Sequence, residues 1–110
     1  IFIDEGCVLQ PFVEIGDNSI LFTSNLGHHS KIGDHTLLSG CGAGGNVSIG
    51  NGCYVGINTA IKQNINVADN CTIGMGCIIE HNTNPGEVYT HKGTTLRQIN
   101  SDQIRNRFLK

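Results

Sequence analysis

The chain has no tryptophan, only 5% aromatic residues and only 38% hydrophobic residues among its 110 positions. A globule of this size ordinarily fills its single core with rings and large aliphatics, so an aromatic-filled interior is excluded. A basic surplus is also missing. The formal net charge is −2, and five of the seven Lys and Arg residues lie at or beyond Lys92, which leaves no basic face for nucleic acid. No apolar run approaches the roughly 18 residues of a membrane span and no signal peptide is legible, so the expected compartment is the cytoplasm. The five cysteines form no CxxC pair and, being odd in number, make no disulfide framework.

What is present is glycine, fifteen of them, set among Ile, Leu and Val in a repeat of six. Stepping by six from Ile3 gives Leu9, Ile15 and Leu21. One step of five leads to Leu26, Ile32 and Leu38, and a second to Ala43, Ile49, Val55, Ile61, Val67, Ile73 and Ile79. Glycine often follows at the next position (Gly16, Gly27, Gly33, Gly44, Gly50, Gly56, Gly74). Four positions on comes a small or β-branched residue: Cys7, Val13, Ser19, Ser30, Thr36, Val47, Cys53, Thr59, Ile65, Cys71 or Cys77. Neither a helical nor a simple two-residue period produces agreement at three phases. The pattern predicts a parallel β-helix, three hexads to a coil, with aliphatic ladders inside and glycines at tight corners. Cys7, Cys53, Cys71 and Cys77 then read as core packing, whereas Cys41 falls in an irregular hexad and is unassigned. Both five-residue steps fall at the same corner, one coil apart, so the coils Ile15–Ile32 and Ile32–Ile49 hold 17 residues. A shortening repeated at one corner marks either a functional departure or a corner drawn in for packing.

The repeat decays after Glu80, and Asn84-Pro85-Gly86 is a turn signal. Beyond it, Ser101 is placed to cap a short helix carrying Ile104 and Phe108 on one face, a tail expected to cover the last coil.

The hexads, together with "GHHSKIGDH", "GGNVSIGNGCYVGINTAI" and "VADNCTIGMGCII", resemble the left-handed β-helix acyltransferases. The resemblance spans residues 3–82 and is nearest to the sugar acetyltransferase branch, which holds sialic-acid O-acetyltransferases and bacillosamine-type amino-sugar N-acetyltransferases. It implies an all-β, left-handed parallel β-helix over residues 1–82, with a C-terminal loop and tail over 83–110. It further implies a homotrimer with acetyl-CoA lying between subunits, a sugar or nucleotide-sugar acceptor, and no metal. By the same resemblance His28 is the general base and the Gly45 N–H holds the thioester oxygen. Ile57, Gly74 and Met75 line the pantetheine channel with Gly45, and His29 and Asn25 stand on the substrate side.

His28 and Gly45 are 17 residues apart, one short coil, and stacked strands lie about 4.8 Å apart, so the two can address one carbon. A base and a preplaced N–H are what acyl transfer from a thioester needs. Gly44-Gly45-Asn46 also reads as a plain tight turn, and His29 as a surface residue. Some relatives place Glu directly after the catalytic His. Here His29 stands there, and Asp34 is the acidic candidate for orienting His28. "THKGTTL" replaces the "GxPAK"-like turn of the family. His35 reads as a turn residue, and His81 and His91 as surface or trimer contacts. Lys92, Arg97, Arg105 and Arg107 read as a solvated tail or as contacts to CoA phosphates.

Two other classes stay open. γ-Class carbonic anhydrases share the fold and hold zinc with three histidines across a trimer interface, and His28, His29 and His35 supply rings for such a site. A non-catalytic trimerising module is the other.

Overall fold

A computed structural model describes the backbone of residues 1–109 and the side chains as far as residue 105. The first coil is formed by β1 (Phe2–Ile3), β2 (Val8–Leu9) and β3 (Glu14–Ile15), and the second by β4 (Ile20–Phe22), β5 (Asn25–Leu26) and β6 (Lys31–Ile32). The third holds β7 (Leu37–Ser39), β8 (Gly42–Ala43) and β9 (Ser48–Ile49), and the fourth β10 (Tyr54–Val55), β11 (Ala60–Ile61) and β12 (Asn66–Val67). Then come β13 (Thr72–Ile73), β14 (Ile78–Ile79), β15 (Val88–Tyr89) and a helix, α1 (Ser101–Leu109). Every strand pairs in parallel with its equivalent one coil away, giving a prism with three faces. Face A has the order β1-β4-β7-β10-β13-β15, face B β2-β5-β8-β11-β14, and face C β3-β6-β9-β12. The chain is thus an all-β parallel β-helix, as the hexads predict, extending 51 × 28 × 23 Å.

The aliphatic ladders run up the interior. Leu21, Leu26, Leu38, Val55, Val67 and Ile73 are fully buried, while Ile3 and Leu9 of the first coil are 40% and 38% exposed. Inward hydroxyls tie one coil to the next: Ser19 Oγ donates to Gly33 O at 2.7 Å, and Thr36 Oγ1 to Gly50 O at 2.7 Å. Each buried hydroxyl is thereby satisfied, as a low-dielectric interior requires.

Register confirms both short coils, since Ile15 pairs with Ile32 and Ile32 with Ile49. At an ordinary corner the left-handed residue comes three after the inward aliphatic. In the two short coils, where face A turns into face B, it comes two after, at Thr23 (φ 43°) and Gly40 (φ 73°). The next inward residue therefore also arrives one position early, as Ser24 and Cys41, both buried. Cys41, unassigned by the hexads, is a core residue like Cys53, Cys71 and Cys77, whereas Cys7 is only partly buried.

Two expectations are corrected. The glycines that follow the aliphatics do not supply left-handed backbone. That conformation belongs to Phe12, Asn18, His29, His35, Asn46, Asn58, Asn64 and Asn70, together with glycines such as Gly52 and Gly76. The earlier glycines are needed for close approach between coils: a Cβ on Gly27 would lie 2.5 Å from the carbonyl carbon of Gly44 and from Gly45 N. Among the described residues the tail, in turn, does not cover the last coil. Residues 91–103 are exposed and, among the described residues, α1 packs on no strand. Its cap is Asn100 rather than Ser101. Asn100 Oδ1 accepts from Asp102 N at 2.8 Å, while Gln103 Oε1 accepts from Asn100 N at 2.7 Å, a reciprocal capping box. The side chains of Phe108 and Arg107 lie outside the described residues. No helix among the described residues is long and apolar enough to cross a membrane.

Candidate active site

The corner joining face B to face C carries one column of equivalent positions: Pro11, His28, Gly45, Gln63. His28 follows β5 by two residues and Gly45 follows β8 by two, so the pairing of Leu26 with Ala43 puts them on adjacent coils. The His28 ring leans over Gly45: a Cβ there would lie 2.6 Å from His28 Nε2 and 2.8 Å from Cε1. Gly45 has no left-handed φ, so the imidazole, not the turn, excludes a side chain at this position. Among the described residues the Gly45 N–H donates to no protein acceptor, and His28 Nε2 has no protein partner. An unclaimed donor and an unclaimed ring nitrogen therefore meet on neighbouring coils.

The first coil supports this pair from below. Gln10 Oε1 accepts from His28 N at 3.0 Å, and Pro11 O from His29 N at 3.1 Å. His29 takes the left-handed corner position (φ 62°) and stacks on Phe12, with centroids 4.9 Å apart and planes at 23°. Its Nδ1 lies 3.1 Å from His28 Nδ1, the two rings meeting edge to face at 88°. Asp34 is not in this site. Its carboxylate accepts from Asp17 N at 2.7 Å on the next corner, so the acidic candidate for orienting His28 is withdrawn.

Two shallow cavities line the same edge. One, of about 440 Å³, is bounded by Phe12, Glu14, His29, Lys31 and Asn46. The other, of about 430 Å³, lies beyond Gly45 and is bounded by Lys62, Gln63, Ile65, Glu80 and His81. Glu14 and Lys31 approach to 3.6 Å, an exposed pair that contributes little to stability. Gln10, Phe12, Lys62 and Gln63 escaped the sequence reading. Adding and subtracting 17 or 18 from residues 27–29 and 45 finds each of them.

The other candidates lie elsewhere. Asn25 is exposed on face B, three residues before His28. Ile57, Gly74 and Met75 sit at the corner between faces A and B, on the far edge of face B from His28. Ile57 and Met75 are 48% and 66% exposed. One chain does not bring these two sets together. His35 is a corner residue whose Nδ1 lies 2.9 Å from Asn18 Nδ2. Among the described residues no three His, Cys, Asp or Glu side chains converge to hold a metal, so His28, His29 and His35 do not form a zinc site within the chain.

No family model and no curated protein matches the chain in sequence. Solved structures match its fold. Serine acetyltransferase isoform 3 from Entamoeba histolytica, solved with cysteine, aligns with TM-score 0.59 at 14% identity, over 94% of this chain and 41% of that one. The acetyltransferase domain of PglB from Neisseria gonorrhoeae aligns with TM-score 0.49 at 18% identity, over 78% and 52%. PerB from Caulobacter crescentus, solved with CoA and GDP-perosamine, aligns with TM-score 0.44 at 15% identity, over 80% and 50%. The chain spans about half the length of these proteins or less.

Proposed function

We propose that the chain is the catalytic β-helix of an acetyl-CoA-dependent acyltransferase acting on a hydroxyl or amine of a sugar or nucleotide-activated sugar. The carrying observation is the His28–Gly45 pair, with the imidazole laid over the glycine and both functional atoms unclaimed. The fold shared with serine acetyltransferase supports acyl transfer. The residues resembling the sugar acetyltransferase branch support the acceptor class.

In this reading His28 Nε2 takes the proton from the acceptor as its oxygen or nitrogen adds to the thioester carbon. The Gly45 N–H stabilises the oxygen that becomes negative, a contribution of about 3–4 kcal/mol for one donor. Collapse breaks the C–S bond, and the imidazolium returns the proton to the departing thiolate. No covalent enzyme intermediate forms, because the thioester is already activated. The edge beyond Gly45, with Lys62 and Gln63, suits the pantetheine arm, and the cavity beside Phe12, His29 and Lys31 suits the acceptor. In this reading Ile57, Gly74 and Met75 reach this edge from a neighbouring copy, in a trimer with sites between subunits. On the same reading the reaction is cytoplasmic, in keeping with an acetyl-CoA donor and a nucleotide-sugar acceptor.

The test is release of CoA thiol from acetyl-CoA in the presence of nucleotide-activated amino sugars. Turnover that falls about 10²–10⁴-fold in His28→Ala supports the reading. Undiminished transfer by that variant removes His28 from it, and no transfer with any such sugar favours a non-catalytic module.

A further inference from the structure

We propose that His29 is the positioning residue for His28, fixing through a single hydrogen bond which ring nitrogen is free to accept a proton. The inference rests on the reading of His28 as base.

The two Nδ1 atoms face one another at 3.1 Å. A hydrogen bond there needs one nitrogen to carry the proton and the other to present its lone pair. If Nε2 of His28 is to act as base, Nδ1 of His28 carries the hydrogen and Nδ1 of His29 accepts it. The proton of His29 then sits on its own Nε2. The opposite arrangement would protonate His28 Nε2 and remove the base, so a working His28 requires His29 to stand as the acceptor in this bond. When His28 takes up a second proton, its Nδ1–H bond to His29 becomes charge-assisted and shorter. That strengthening occurs only as the reaction proceeds, which is the differential stabilisation that lowers a barrier.

His29 is built to hold still. Its backbone occupies the left-handed corner (φ 62°), Pro11 O accepts its N–H at 3.1 Å, and Phe12 covers one ring face at 4.9 Å. The pair is closed from above by Asn46, whose N–H donates to His28 O at 2.7 Å. No carboxylate hydrogen-bonds to His28 among the described residues, which leaves His29 as the group able to orient it.

Two variants separate the nitrogen from the ring. His29→Phe keeps a ring against Phe12, and Phe12 shows that this corner accepts phenylalanine (φ 66°). His29→Asn places an amide oxygen at the same distance from Cβ as the lost Nδ1, in a column where Asn46 and Asn64 already take the left-handed turn. Long-range ¹⁵N–¹H spectra of the imidazoles read the tautomer of His28 without any substrate. The expected result is the Nδ1–H form of His28 in the wild type and in His29→Asn, replaced by a majority Nε2–H form in His29→Phe. In parallel, kcat falls about 10–100-fold in His29→Phe, a larger change than any in the acceptor KM, and His29→Asn recovers most of it. A wild-type His28 found as Nε2–H overturns the proposal. So does a His29→Phe that keeps its kcat, or one that raises only KM, which would make His29 a substrate contact. A wild type inactive with every acceptor defeats the functional reading instead, and the tautomer measurement then decides this proposal alone.

Discussion

A methyl group on Gly45 would stand 2.6 Å from Nε2 of His28, inside the distance at which any carbon rests against nitrogen. The glycine is therefore a vacancy kept for the imidazole. Gly45→Ala is expected to swing the ring away and lower kcat about 10²-fold, the usual cost of a displacement near 1 Å. The melting temperature should move little, because the φ at this position suits alanine. A loss of fold that accompanies the loss of rate would show the glycine to be structural.

Two other glycines of face B should behave oppositely. A Cβ on Gly27 meets the carbonyl carbon of Gly44 and Gly45 N at 2.5 Å, whereas one on Gly42 meets nothing within 4 Å. Gly27→Ala is expected to cost about 1–3 kcal/mol or more through overpacking of backbone on backbone. Gly42→Ala should gain about 0.4–1 kcal/mol by restricting the unfolded chain. Denaturant titration of both variants compares them directly.

Thr36 links three coils. Its Oγ1 donates to Gly50 O at 2.7 Å and accepts from Cys53 N at 3.1 Å, while its own N–H donates to Ser19 Oγ at 3.1 Å. Thr36→Val preserves shape but strands the half-buried Gly50 carbonyl and the buried Cys53 N–H, for an expected loss of about 1–3 kcal/mol. Thr36→Ser should keep most of that stability. Equal stability of the Val and Ser variants would refute the accounting.

Burial pushes the Cys41 and Cys53 thiols above their ordinary range, and Cys71 and Cys77 are buried as well. At pH 8 a thiol reagent should modify Cys7 first, and the remaining four only as the coils open. Rapid modification of several thiols in the folded protein would contradict the inward placement.

The last turn of the β-helix is sensitive to pH at both ends. The Asn84 N–H and then the Tyr89 hydroxyl, each 2.7 Å from Glu87 Oε1, hold the Glu87 carboxyl below its ordinary value. A depressed carboxyl contributes stability above its unfolded pKa, about 4.3, and that contribution is lost as pH falls through the folded value. The same bond raises the Tyr89 phenol, whose contribution is complete below about 10 and is lost as pH rises through the folded value. Glu87→Gln keeps an acceptor and should flatten the acid limb of a Tyr89 fluorescence titration.

The fold was legible because a coil of three hexads repeats its burial demands at every turn, and thirteen of fourteen ladder positions are Ile, Leu or Val. The His28–Gly45 pair was legible for the same reason, since column positions follow from counting. Two things were not. The role of the glycines was misread because close approach and left-handed backbone both favour glycine, and only coordinates separate them. The contacts of His29 depended on Phe12, a residue that the hexads mark only as a corner. Asp34 looked near His28 in sequence, but a corner turns the chain through a whole face in six residues, so proximity along it misleads.

Each coil touches only its neighbours, so a disturbance in one layer is felt mainly in the layers beside it. The layer before the two histidines supplies Gln10, Pro11 and Phe12, which brace both imidazoles. Loosening that one layer by substitution would leave the trunk intact and the chemistry unsupported, so turnover should fall there well before most of the amide protection is lost.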